Sequence, residues 1–304
     1  MKRSAQELLS GLMIPYRPRP GPLQQSRVGL SVAWCGAIGI SVVVYDNPII
    51  VGALMACAFS AGAICGVTRQ LTTAALLALP FALFVAMINP LVTQQGVTVL
   101  VEGINVPVLG SLDITLEALA FGILMGFKLI VIMVLAALYV AVVDPDELLR
   151  LLRRYSVHSA ITASLAVRMV PVLARDAGRL AAARSCRPGP PPGIATTTRA
   201  VFARAFERAD GAALALETRG FAIAKRLPAK KRPWSSADIA VALGAVSTIV
   251  VALLGRTLGV ASVSAFPRFA AAIGLQEFVL AALLLIAAVG PIYFLHWQHG
   301  VRRD

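Results

Sequence analysis

Charge is scarce in this sequence. Only 14% of its 304 residues are Asp, Glu, Lys or Arg, whereas 58% are hydrophobic, and mean hydropathy is +0.79. A water-soluble fold keeps about a quarter of its residues charged, so a soluble enzyme and a disordered binder are both excluded. Cysteine is scarce too. Cys35, Cys57, Cys65 and Cys186 make neither a CxxC pair nor a disulfide framework, which excludes a disulfide-built secreted domain and leaves them as small packing residues. Catalytic signatures are missing as well. There is no GxxxxGK[ST] phosphate loop, so the chain is not expected to bind ATP. There is no GxSxG elbow and no HExxH helix. No apolar run contains a pair of carboxylates of the kind a proton-relay carrier uses. Nor does an A-x-A cleavage site follow a short apolar core near the N-terminus, so the first apolar run is read as a retained helix.

What the chain does have is apolar runs of bilayer length, about 20 residues each. Residues 28–45, 48–67 and 71–91 carry no charge, and residues 118–143 carry only Lys128. After a long polar stretch, residues 239–255 and 278–295 bring the expected count to six. Hydrocarbon offers the backbone no hydrogen-bond partners, so each run is expected to be a helix. Residues 257–276 are semi-apolar and read as an interfacial or re-entrant piece. The fold class expected is an all-α, polytopic membrane protein.

Basic side chains assign its orientation. Net charge is +13, and 17 of the 28 Lys and Arg residues lie in residues 144–235. Lys2, Arg3, Arg17, Arg19 and Arg27 precede the first run, Arg69 lies between the second and third, and Arg302 and Arg303 lie in the C-terminal tail. The connection 92–117 has no Lys or Arg but holds Glu102, Asp113 and Glu117. With both termini cytoplasmic, every strongly basic segment falls on one side of the membrane, and only Arg256 and Arg268 dissent.

Residues 144–235 are too long for an ordinary connection and read as helices. Asp144-Pro145-Asp146-Glu147 is a helix start, with proline in the first turn and acids facing the helix dipole. A second helix over about 161–186 is stopped by the Pro-Gly run from Pro188 to Gly193. A third runs from about 198 to 219, with Gly220 as its C-terminal cap. Cys186-Arg187-Pro188 and Thr218-Arg219-Gly220 are matching helix ends, each with an arginine whose planar fork can bond carboxylates or backbone carbonyls. Composition alone reads them as a solvated basic face; the sharper reading is a pair of prongs that enter a partner.

At these residues the chain resembles the transmembrane T component of energy-coupling factor (ECF) transporters, the group that includes cobalt-transport permeases. That family carries two Ala-Arg-Gly-type motifs at the ends of long cytoplasmic coupling helices. Here the first falls on Cys186-Arg187-Pro188 and the second on Thr218-Arg219-Gly220. Asp144 to Leu149, Arg168 to Leu173, and Ala215 to Phe221 are similar to further family segments, and Asn89-Pro90-Leu91 with Ile114 to Glu117 match a weaker pattern. The resemblance implies spans 1–4 within residues 1–143, a coupling-helix region at 144–235, and spans 5 and 6 within 236–304. It implies a multi-pass protein of the cytoplasmic membrane that binds two cytoplasmic ABC-type ATPases and a membrane substrate-binding S component, and no nucleic acid. The chain itself would bind no cofactor, ATP being used by the partner subunits. Arg187 and Arg219, flanked by Cys186, Pro188, Thr218 and Gly220, would make the ATPase contacts. The cargo would be a vitamin or a transition-metal ion chosen by the S component.

Two weaker signals remain. A lysine inside an apolar run is costly unless paired, so Lys128 reads either as an internal structural pair or as a cation that faces a protein–protein groove or snorkels. His296 and His299 share a helix face but are too few to make a stable metal site. Two other classes compete with the coupling subunit. One is an integral membrane enzyme acting on a lipid or isoprenoid phosphate, for which the aspartate-rich metal motifs are lacking; the other is a secondary carrier with no ATPase.

Overall fold

The computed structural model describes residues 21–92, 99–101, 105–106, 110–111, 114–152, 157–186, 194–218, 220, 233–260 and 274–301. The chain is a multi-pass α-helical membrane protein. After a short helix α1 (Pro22–Gln25) come α2 (Val28–Val44), α3 (Pro48–Ile64), α4 (Thr68–Val92) and α5 (Leu116–Val142). Then follow α6 (Pro145–Leu152), α7 (Val157–Ser185), α8 (Ile194–Thr218), α9 (Ser236–Thr257) and α10 (Leu275–Val301). Four of these helices, α4, α5, α9 and α10, are long and apolar enough to cross a bilayer; α2 and α3 are equally apolar but only 17 residues each. The expected ambiguous piece, 257–276, falls largely outside the described residues.

One feature departs from the all-α expectation. Between α4 and α5 lie two small antiparallel ladders, β1 (Val99–Val101) with β4 (Ile114–Thr115), and β2 (Asn105–Val106) with β3 (Gly110–Ser111). The segment is rich in Val and Ile, with glycines between them. That composition favours extended backbone over helix, and the apolar-run criterion does not detect it.

The chain divides into two compact units, residues 1–148 with 234–304, and residues 149–233. In the first, α9 packs on α10 and α2, α10 on α3, and α5 on α2, α3 and α4. Trp34, Ile38, Leu54, Leu138, Leu284 and Ile292 are fully buried at the centre, where the Trp34 indole N–H donates to the Ala288 carbonyl at 3.0 Å. Helix starts are capped as their sequences dictate. The Asn47 side chain accepts from the Ile49 amide ahead of Pro48, and Ser235 and Asp238 form a capping box on α9. Asp238 is fully buried and also accepts from the Arg27 amide at 2.7 Å, while the Arg27 guanidinium stacks 4.9 Å over the Trp234 ring. The start of α2 is thereby tied to the start of α9.

The closest helix contact is between α4 and α5. Ala82 and Ala86 on α4 face Gly126 and Gly122 on α5, a small-residue stripe on each side. A Cβ at Gly126 would lie 2.6 Å from the Ala82 carbonyl oxygen, and one at Gly122 would lie 2.8 Å from that of Ala86. The Asn89 amide donates to the Ala118 carbonyl at 3.2 Å and closes the seam. Gly126→Leu is expected to force the pair apart and cost about 1–3 kcal/mol. Thermal melting in detergent should show a clear drop, whereas Gly36→Ala, where nothing lies within 4 Å of the added Cβ, should melt like the parent protein.

Candidate partner-binding site

Lys128 is buried, with its side chain 8% exposed, and its ammonium donates to Asp46 Oδ1 at 2.6 Å. It also reaches the Val43 carbonyl at 3.4 Å. Asp46 sits in the turn between α2 and α3 and is itself 46% exposed. The cation is therefore held by a carboxylate and by a carbonyl at the C-terminal end of α2, where the helix dipole favours positive charge. Of the two sequence readings of Lys128, the geometry matches the internal pair. Asp46 escaped the sequence analysis because it lies outside every apolar run. The signal was nonetheless present, since only Asp46 and Asn47 separate the runs 28–45 and 48–67.

In the second unit α7 and α8 meet over a short stretch. Arg208 pairs with the buried Asp176 at 3.1 Å, so the crossing is held by a charged bond rather than by a large apolar core. Both helices are rich in Ala and Arg. Pro171 sits inside α7, and its carbonyl accepts from Arg175 Nε at 3.2 Å. The two arginine motifs stand at the C-terminal ends of these helices. Cys186 follows the last residue of α7 and is exposed. Thr218 closes α8, exposed, with its hydroxyl donating to the Ala215 carbonyl at 3.1 Å. Gly220 has φ +67° and its amide donates to the Glu217 carbonyl at 2.9 Å. Nothing lies within 4 Å of a Cβ built there, so the left-handed backbone and not crowding is what calls for glycine. Arg187, Pro188 and Arg219 lie outside the described residues, as do the side chains of His296 and His299.

Among the described residues no group of three or more His, Cys, Asp or Glu side chains is placed to hold a metal ion. The comparison with known families decides the matter of kinship. The family profile described as cobalt transport protein, CbiQ, matches residues 21–228, from α1 through Gly220. The chain belongs to the CbiQ family. No curated protein matches it. The CbiQ family is one of ECF T components, so the chain is a transport-system subunit and not an enzyme, and its family implies ATPase and S-component partners. The match takes in the membrane helices α2 to α5 together with α7, α8 and both arginine motifs.

Proposed function

We propose that this CbiQ-family chain is the energy-coupling membrane subunit of an ATP-driven importer for a vitamin or a transition-metal ion. The observation that carries this reading is the continuity of the family match across the membrane bundle and the two long helices ending at Ser185 and Thr218. ATP binding and hydrolysis in two cytoplasmic ATPases would shift α7 and α8. Arg187 and Arg219 would hold these helix ends in the ATPases, with Cys186, Pro188, Thr218 and Gly220 shaping the ends around them. The shift would pass to the S component, which would release its cargo inward. Lys128 has no part in that contact; it holds α5 to the α2–α3 turn.

The same reading counts α2 and α3 as short spans, giving six, and places the termini and residues 144–235 in the cytoplasm. Charge supports this, because the basic residues cluster in those segments. A cysteine placed at Gly103 should react with an impermeant maleimide in intact cells, and one placed at Arg199 should not. Labelling at Arg199 from outside would reverse the orientation. The test of the function itself is purification in mild detergent from the native membrane. ATPases and a second membrane protein should co-elute with the chain, and its elution alone would sink the proposal.

A further inference from the structure

The chain leaves the first compact unit after Leu148 and re-enters it at Trp234. The second unit, which holds α7 and α8, is therefore joined to the membrane bundle only through the end of α5, by way of α6, and through the start of α9. Movement of α7 and α8 has no other covalent route into the bundle. Among the described residues α5 and α9 are not a packed pair; α2 stands between them and packs on both. The spacing of these two roots is set by whatever holds them at the start of α2.

One short segment, Gly21 to Arg27, reaches both roots. The Gln24 side chain donates to the Ala141 carbonyl, in the last turn of α5, at 3.0 Å. The Arg27 amide donates to Asp238 Oδ1 at 2.7 Å, and its Nε lies 3.6 Å from Asp238 Oδ2. The same guanidinium stacks on Trp234, the residue at which the chain re-enters the bundle. The segment is itself firmly seated. Leu23 is buried, and its carbonyl accepts from the hydroxyls of Ser26 and Ser31 at 3.0 and 2.7 Å. Gly21 lies so close to Cys65 that a Cβ there would come within 3.1 Å of the Cys65 Sγ.

Helix capping alone does not call for this arrangement. A capping carboxylate works at an exposed helix start, whereas Asp238 is fully buried, where a carboxylate is costly unless it is paired and hydrogen-bonded. Its Oδ2 serves the cap, accepting from the Ser235 amide at 2.9 Å. Its Oδ1 is committed to Arg27, at the start of another helix.

We propose that Gly21–Arg27 is a clamp that fixes the spacing of the two membrane roots of the cytoplasmic helices, with Gln24, Arg27 and Asp238 as its positioning residues. Nucleotide-driven movement of α7 and α8 then pivots on this common base instead of spreading α5 from α9. The pivot rests on the functional reading above; the clamp itself does not.

The test places spin labels, carried on non-natural residues, at positions 140 and 239, exposed sites beside Ala141 and Asp238. In the full chain in nanodiscs the parent should give one narrow distance. Gln24→Ala with Arg27→Ala should give a distribution about twice as broad, and Asp238→Asn should do the same. Arg27→Lys, which keeps a cation for Asp238, should stay close to the parent width. Should Asp238→Asn fail to fold, the Gln24 and Arg27 pair decides; a pair variant as narrow as the parent overturns the clamp. In the complex with the co-purifying ATPases, ATP with vanadate should leave the parent distance unchanged and shift that of the pair variant, with ATPase recovery and ATP hydrolysis at the parent level. A parent distance that shifts with nucleotide overturns the fixed base. Loss of ATPases from the pair variant, with early melting, also overturns it, since the segment would then be serving the fold alone. If the parent recovers no ATPases, the coupling reading fails and the pivot falls with it, while the nanodisc distances still decide the clamp.

Discussion

Replacing Arg187 and Arg219 together by alanine should strip both ATPases from the membrane subunit and abolish uptake, while the chain still inserts and melts normally. Each arginine supplies a charge-assisted contact of about 1.5–3 kcal/mol when desolvated in a partner, so one substitution should weaken attachment by roughly tenfold to a hundredfold. The double change should be far worse than either single one, because two linked attachments reinforce each other through effective concentration. Arg219→Ala should be the more damaging single change. Its motif ends in Gly220, whose left-handed cap holds the helix end in one geometry, whereas the first motif ends in Pro188. Arg153→Ala, which the spacing of Leu148, Leu149, Leu151 and Leu152 in the sequence sets apart from the leucine stripe, should leave assembly intact. The measurement is ATPase recovered per membrane subunit, beside uptake. Full assembly in the double variant would reduce these arginines to positive-inside charges.

Asp46→Ala should destabilise the protein more than Lys128→Met does. Lys128 is the buried member of the pair and Asp46 the half-exposed one. Removing the carboxylate leaves a buried ammonium with only the Val43 carbonyl beside it. Breaking a buried pair that way costs about 3–5 kcal/mol, and the exposure of Asp46 places the expected loss near the lower end. Removing the lysine instead leaves a carboxylate that solvent can reach, and the apolar methionine fills much of the space. Thermal melting in detergent, with the double variant closing the cycle, reads the difference. Asp46→Ala with Lys128→Met should recover much of the loss. Equal destabilisation by the two single changes would mean that the ion pair contributes little and that Lys128 acts by packing.

Much of the architecture was legible beforehand for a local reason. The apolar runs 28–45, 71–91, 118–143 and 239–255 coincide with α2, α4, α5 and α9 to within a few residues, because a helix in hydrocarbon needs only an unbroken apolar sequence. The cap at Gly220 was legible because a glycine at a helix end is a local conformational signal. The β-ribbons were missed, since a hydropathy count does not distinguish a short valine-rich extended segment from a polar connection. The exposed helix ends at Cys186 and Thr218 were legible as motifs. What they contact is not a property of this chain alone.

By itself, the sequence determined that this protein lives in a membrane, roughly where its apolar helices run, and that Lys128 is the one charge inside the run 118–143. All of these follow from residues adjacent along the chain. Tertiary structure decided the rest. It paired Lys128 with Asp46, 82 positions away, and it placed Ala82 where only glycine fits at position 126. It joined Asp238 to the Arg27 amide, 211 positions distant, and it set the Tyr45 hydroxyl on the Ala252 carbonyl, 207 positions away. These outcomes depend on which helix faces which and at what level. Hydrocarbon rewards every apolar surface alike, so that choice is left to small-residue seams and a few buried charges whose partners are far apart in sequence.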